Sequence, residues 1–230
     1  MKIHMDPKVE LKKICDHVGP ENIWRNVYDQ DQTIIARGKE DMRICSPNEL
    51  AKVDFIGKTV VDLGCNFGFY SFLIKNLGAK RVVGVDNDFD VIKGCHLLKE
   101  IHSVKDIDFL VGDFITCKFR NGFHIGMLIN IIGKNWVLYG IQDMLDNIEQ
   151  LSLETMVISA RHFYNISKHL KGEKDTILTT YGPEFIKGDQ FMLMDFIGSY
   201  FKDRWNMTIL SGDYDLYIKS TLLFTRRQLS

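Results

Sequence analysis

The sequence predicts an α/β chain: a seven-stranded, mostly parallel sheet with helices on both faces, an N-terminal helical cap, and an insertion after the fifth strand. Three observations carry this expectation. Short β-branched runs alternate with amphipathic stretches of helix length, as successive βαβ units require. One unit, residues 59–87, shows its strand, glycine turn, helix and second strand in full: TVVDLGCNFGFYSFLIKNLGAKRVVGVDN. The chain also closes on two strand-like runs, 205–210 and 220–225, joined through Gly212-Asp213-Tyr214-Asp215, which is a hairpin pattern.

Composition bounds the reading. The 230 residues are 45% hydrophobic, enough for one full core with extensions, so residues 1–49 are expected as a cap and 50–230 as the main domain. A formal net charge of −1 removes any general attraction to a phosphate backbone and leaves only a local basic patch open. The five cysteines, Cys15, Cys45, Cys65, Cys95 and Cys117, are odd in number and scattered without a C-x-x-C pair, which argues against a disulfide framework and a zinc site. No metal is expected. No apolar run of membrane-spanning length and no secretory leader is visible, so a cytoplasmic location without membrane contact is expected. Met1-Lys2-Ile3-His4-Met5 stands outside the fold reading.

Taken in order, Asp6 to His17 spaces Val9, Leu11, Ile14 and Val18 helically and stops at Gly19-Pro20. Residues 22–43 are irregular, aromatic and basic, with Trp24, Arg25, Tyr28, Arg37, Lys39 and Arg43. Ser46-Pro47-Asn48-Glu49 has the residues of a capping box and starts a short helix to about Phe55. The strand at 59–63 follows, then a helix with Phe69, Phe72, Leu73 and Leu77 on one face and Gly78 at its end, then the strand at 81–86. A crossover helix, 88–101, leads to a third strand, 108–114, and a nearly continuous apolar run, 122–130, makes a buried fourth. After Trp136 and Tyr139 a helix is expected over 137–151, and the fifth strand over 155–160, ending on Arg161-His162. The polar, glycine-punctuated stretch 162–188 is the insertion, expected as a substrate lid, before a helix over 189–201.

Function enters through the glycine turn. Gly64 and Gly68 let a ligand approach the backbone at a helix N-terminus, and Asp86, at the tip of the next strand, can accept from a ribose diol. A nucleoside-bearing cofactor is implied. The dinucleotide fingerprint fails, because Asn66 and Phe69 stand where it needs a glycine. What remains is Asp62-x-Gly64-x-Asn66-x-Gly68, whose carboxylate suits an ammonium group better than a pyrophosphate.

This strand, turn and helix resemble motif I of the class I S-adenosylmethionine (SAM)-dependent methyltransferases, with Asn66 replacing the usual central glycine. The resemblance implies SAM as cofactor and S-adenosylhomocysteine (SAH) as product. It places Asp62 near the amino-acid end of SAM, Gly64, Cys65, Asn66 and Gly68 around it, Asp86 on the ribose hydroxyls, Asn87 along the adenine edge, and Asp113 and Phe114 at the adenine. Asn130 lies at the reactive edge, where the family's motif IV stands, without the prolines and aromatic of DNA amino-methyltransferases. Trp136, Arg161, Tyr164 and Tyr181 are candidate substrate contacts. His162 is the candidate general base, its free pKa suiting proton removal near neutral pH. The implied reaction is in-line methyl transfer to a small molecule or modified nucleoside. An RNA or protein acceptor held by basic residues in 24–43 and 161–187 is one alternative, and a nucleotide-binding (NAD-type) protein on the same fold is another.

Overall fold

The structure is a computed structural model, and it describes residues 6–39, 45–211 and 219–228. Arg43 and the Gly212–Asp215 turn lie outside the described residues. In chain order the elements are α1 (Pro7–Val18), β1 (Val27–Tyr28), β2 (Ile34–Ala36), α2 (Pro47–Leu50), β3 (Thr59–Leu63), α3 (Phe69–Asn76), β4 (Arg81–Asp86), α4 (Phe89–Ile101), β5 (Ile107–Val111) and β6 (Phe123–Leu128). There follow α5 (Lys134–Tyr139), α6 (Gln142–Leu151), β7 (Ser152–Arg161), β8 (Tyr164–Asn165), α7 (Ile166–His169), α8 (Lys174–Tyr181), β9 (Ile186–Lys187), β10 (Gln190–Phe191), α9 (Leu193–Phe201), β11 (Trp205–Ile209) and β12 (Lys219–Arg226). The main sheet has the seven strands expected, in the order β11-β12-β7-β6-β3-β4-β5. By contacts the chain divides into two compact units, residues 1–42 with 54–118, and residues 43–53 with 119–230.

In the first unit β3, β4 and β5 are parallel, in registers running from Thr59↔Arg81 to Leu63↔Val85 and from Val82↔Ile107 to Asp86↔Val111. Val60, Val61, Leu63, Val82, Val83 and Val85 are all buried, the near-continuous apolar pattern of strands covered on both faces. The α1 helix starts where the Asp6 carboxylate accepts from the Lys8 N–H at 2.9 Å. Its Leu11, Ile14, Cys15 and Val18 share a cluster with Phe67 on the glycine loop and Val91, Leu98 and Ile101 of α4. The N-terminal residues therefore pack with the cofactor-motif half of the sheet.

Three expectations for this unit change. Residues 22–43 contain an antiparallel pair, β1 with β2. The inward face of α3 is Tyr70, Ser71 and Ile74, with the Ser71 hydroxyl drawn in to donate to Asp62 at 2.7 Å. The third strand stops at Val111, and Asp113 begins a turn instead of ending the strand.

In the second unit β6 and β7 are parallel, while β12 pairs antiparallel with both β7 and β11. The capping box forms: Ser46 Oγ accepts from the Glu49 N–H at 3.3 Å, and Glu49 Oε2 accepts from the Ser46 N–H at 3.2 Å. Its helix, α2, is a single turn. The long helix expected over 137–151 is two, broken at Gly140, whose φ of 96° no helix continues. The insertion is not an open loop. It carries its own three-stranded sheet, β8-β10-β9, over an aromatic core in which the Tyr181 ring lies 4.5 Å from Phe191 and 4.8 Å from Phe196. Gln190 and Phe191 join that sheet, so α9 starts at Leu193.

Candidate functional site

The glycine loop of the first unit turns through three left-handed residues, Gly64 (φ 72°), Asn66 (φ 47°) and Gly68 (φ 74°). Asparagine is among the few residues that tolerate this region. The loop is sewn to the neighbouring strand, the Gly64 and Cys65 N–H groups both donating to the Val85 carbonyl at 2.8 and 3.0 Å. At Gly68 a side chain is also excluded by space, since a Cβ would stand 2.8 Å from the Phe109 ring.

Asp86 sits at the end of β4 beside this loop. Its Oδ2 accepts from the Asn66 N–H at 2.9 Å and its Oδ1 from the Asp88 N–H at 3.1 Å. Two backbone donors fix the plane of the carboxylate, and each oxygen keeps a further lone pair for a hydroxyl. Burial pushes the Asp86 carboxyl above the usual carboxylate range, an effect the backbone N–H groups of Asp88, Asn66 and Asn87 oppose. Val111, its register partner on β5, is 52% exposed and supplies an apolar surface next to the acid. Asn87 is exposed beside it. Asp113 is exposed and its Oδ1 accepts from the Ile115 N–H at 2.7 Å, while Phe114 is buried.

Two residues expected on the ligand face another way. Asp62 is 1% exposed and accepts from Ser71 Oγ at 2.7 Å, bracing α3 from behind the loop. Burial raises its pKa to about 7, so near neutral pH it is not a steady anion for an ammonium group. The Cys65 side chain is buried, its Sγ donating to the Asn66 carbonyl at 3.5 Å, and burial pushes the thiol up. Cys65 is a packing residue. Arg37 lines a groove with Lys12, Asp16 and Ile23. The cation brought to the start of α3 is Arg25, buried, with Nη2 donating to the Tyr70 hydroxyl at 2.5 Å and the guanidinium 5.6 Å from the Phe69 ring centroid. Nothing in its sequence neighbourhood distinguishes Arg25 from the other basic residues there.

In the second unit the polar groups gather at the carboxyl ends of β6 and β7. Asn130, left-handed at φ 60°, donates its N–H to Ser159 Oγ at 2.7 Å, and its Oδ1 accepts from Lys219 Nζ at 3.3 Å. His162 Nε2 lies 2.6 Å from Ser220 Oγ, and burial holds its pKa below the usual histidine value. The Arg161 guanidinium lies 5.4 Å from the Tyr164 ring centroid, and Trp136 is half-buried on α5. Both tyrosines turn inward, in place of the substrate contacts expected. The Tyr164 hydroxyl donates to the Ile132 carbonyl at 3.2 Å and the Tyr181 hydroxyl to the Val137 carbonyl at 2.6 Å. Spacing in a polar stretch cannot tell an inward tyrosine from an outward one. Among the described residues no group of His, Cys, Asp or Glu could hold a metal ion, and no helix is long and apolar enough to cross a membrane.

The strand order, the antiparallel last strand and the glycine loop with its acidic neighbour define the fold of the class I SAM-dependent methyltransferases. The chain superposes on the N-terminal domain of EvdMO1, solved in the presence of SAH and D-fucose, with a TM-score of 0.62, 13% identity and coverage of 99% of this chain and 100% of that one. Against magnesium protoporphyrin IX methyltransferase from Synechocystis PCC 6803 with bound SAH the TM-score is 0.54, at 14% identity over 77% of this chain and 78% of that one. In sequence, it is 53% identical over 111 residues to the tRNA U34 carboxymethyltransferase of Campylobacter hominis, covering 46% of this chain and 39% of the relative. It is also 37% identical over 73 residues to the ribosomal protein L11 methyltransferase of Alteromonas mediterranea, covering 28% of this chain and 25% of the relative. The matched stretches thus span well under half of either relative's length. No protein-family model matches the chain.

Proposed function

We propose that the chain binds SAM in its first unit and transfers the methyl group to a nucleophile on a small molecule or a modified nucleoside. The observation that carries this reading is the Asp86 carboxylate, oriented by the Asn66 and Asp88 N–H groups beside a loop of three left-handed residues. A ribose diol meets a charged acceptor there, and Asn87 and Val111 flank the place of the base. Bound SAM supplies an electrophilic methyl on a sulfonium, so the protein's work is mainly to hold the acceptor in line. Where the acceptor is a hydroxyl or a protonated amine, His162 is the group to take the proton. Its depressed pKa keeps the imidazole neutral at pH 7.

The test is calorimetric titration with SAH, SAM and NAD. Binding of SAH and SAM without NAD is the expected result, and NAD binding without SAM refutes it. In a folded Asp86→Ala variant SAH affinity should fall by about 1–3 kcal/mol, the usual cost of hydroxyls left without a charged acceptor. A second reading, favoured by the 53% identity to a tRNA-modifying enzyme, makes RNA the acceptor. The exposed Lys168, Lys171 and Lys174 of the insertion would then contact phosphates. Filter binding of tRNA that weakens steeply with salt supports this version, and no binding at low salt removes it.

A further inference from the structure

The motif's central glycine is replaced by Asn66, and the left-handed backbone does not explain the choice, since glycine adopts φ 47° more readily. The side chain does. Its Nδ2 donates to the Asn22 carbonyl at 2.9 Å, and its Oδ1 accepts from the Trp24 N–H at 3.2 Å. The backbone is engaged as well: the N–H donates to Asp86, and the carbonyl accepts from Cys95 Sγ at 3.1 Å. One residue therefore ties the strand-tip acid, the glycine loop and the segment 22–24 together.

We infer that Asn66 is a positioning residue that makes residues 22–24 a wall of the cofactor site. The inference rests on the SAM reading above. The segment is fixed on its other side too, with the Lys39 N–H donating to the Ile23 carbonyl at 3.0 Å and the Gly38 N–H to Asn26 Oδ1 at 2.8 Å. Gly38 admits no side chain, because a Cβ there would lie 2.6 Å from the Arg25 carbonyl oxygen. Trp24 is 45% exposed, with the Lys39 ammonium 4.4 Å from its ring centroid, so the segment brings an aromatic surface and a cation to the loop. The two hydrogen bonds of the Asn66 side-chain amide are solvent-accessible, and water competes for them in the free protein. A nucleoside seated on Asp86 displaces that water and strengthens them. The clamp therefore acts mainly on the bound state.

The test is Asn66→Gly, which keeps the left-handed turn and deletes only the amide. SAH affinity by calorimetry should fall about tenfold, within reach of two net hydrogen bonds, while the Tm of the free protein moves by about 2 °C or less. Acrylamide quenching of tryptophan emission should drop on adding SAH to the wild type and stay unchanged in the variant, a readout that a purely structural role would not move. Asn66→Asp keeps the acceptor for Trp24 but sets a carboxylate oxygen against the Asn22 carbonyl and a second charge beside Asp86, so it should bind SAH no better than the glycine variant; it also replaces that variant if the glycine protein does not fold. An Asn66→Gly affinity within twofold of wild type overturns the inference and leaves the SAM reading intact. A wild type that binds no SAH overturns both.

Discussion

Asp62 gives the fold a pH dependence that one substitution should remove. The carboxyl is 1% exposed on β3, takes a single side-chain hydrogen bond from Ser71, and has its pKa raised by burial to about 7. In the unfolded chain it titrates near 3.9, about three units lower. Because the folded value is the higher one, the native state binds the extra proton between pH 4 and 7. The stabilising contribution is then complete below about pH 4 and lost as the pH rises through 7. The slope is about 1.4 kcal/mol per pH unit between pH 5 and 6.5, and the full excursion about 4 kcal/mol. Asp62→Asn keeps an oxygen for the Ser71 hydroxyl and never ionises. In urea titrations followed by circular dichroism, the stability of the variant minus that of wild type should grow by about 2 kcal/mol from pH 5 to pH 6.5 and be flat above pH 8. A difference that stays constant across pH 5–8.5 means that Asp62 titrates normally, and the account of a buried acid behind the loop fails.

The other perturbations read single contacts. Gly68→Ala combines a left-handed φ with a Cβ 2.8 Å from the buried Phe109 ring, and should cost about 2–4 kcal/mol, seen as a clear fall in Tm; an unchanged Tm would show that the loop can reshape. Tyr181→Phe leaves the Val137 carbonyl without its donor and should lower stability by about 1–2 kcal/mol in urea titrations. If Tyr181 contacts substrate instead, the variant will be as stable as wild type.

The central strands β3, β4 and β6 were legible because they are buried on both faces and so are written as nearly uninterrupted apolar runs, such as Val60-Val61 and Val82-Val83. The left-handed positions at Gly64 and Gly68 and the strand-tip acid Asp86 were legible for a similar reason: few residue types can stand there. Side-chain direction was not. Asp62 and Cys65 lie inside the motif yet face the core, and Tyr164 and Tyr181 lie in a polar stretch yet point inward. Both outcomes depend on packing partners distant in sequence, Ser71, Cys95, Ile132 and Val137. Arg25 escaped for the same cause, since its distinction is the Tyr70 hydroxyl 45 positions away. The small sheet of the insertion left no trace in the sequence because its strands are two residues long, too short for any alternation to register.

The last described strand, β12, lies between β7 and β11 and is hydrogen-bonded to both. During synthesis β11 emerges first but has no neighbour to pair with until β12 arrives, so docking order inverts translation order at this margin. Until then β7 presents a bare hydrogen-bonding ladder of apolar residues to other nascent chains. Lesions that keep β11 but remove β12 should therefore leave this edge of β7 unpaired and produce insoluble protein.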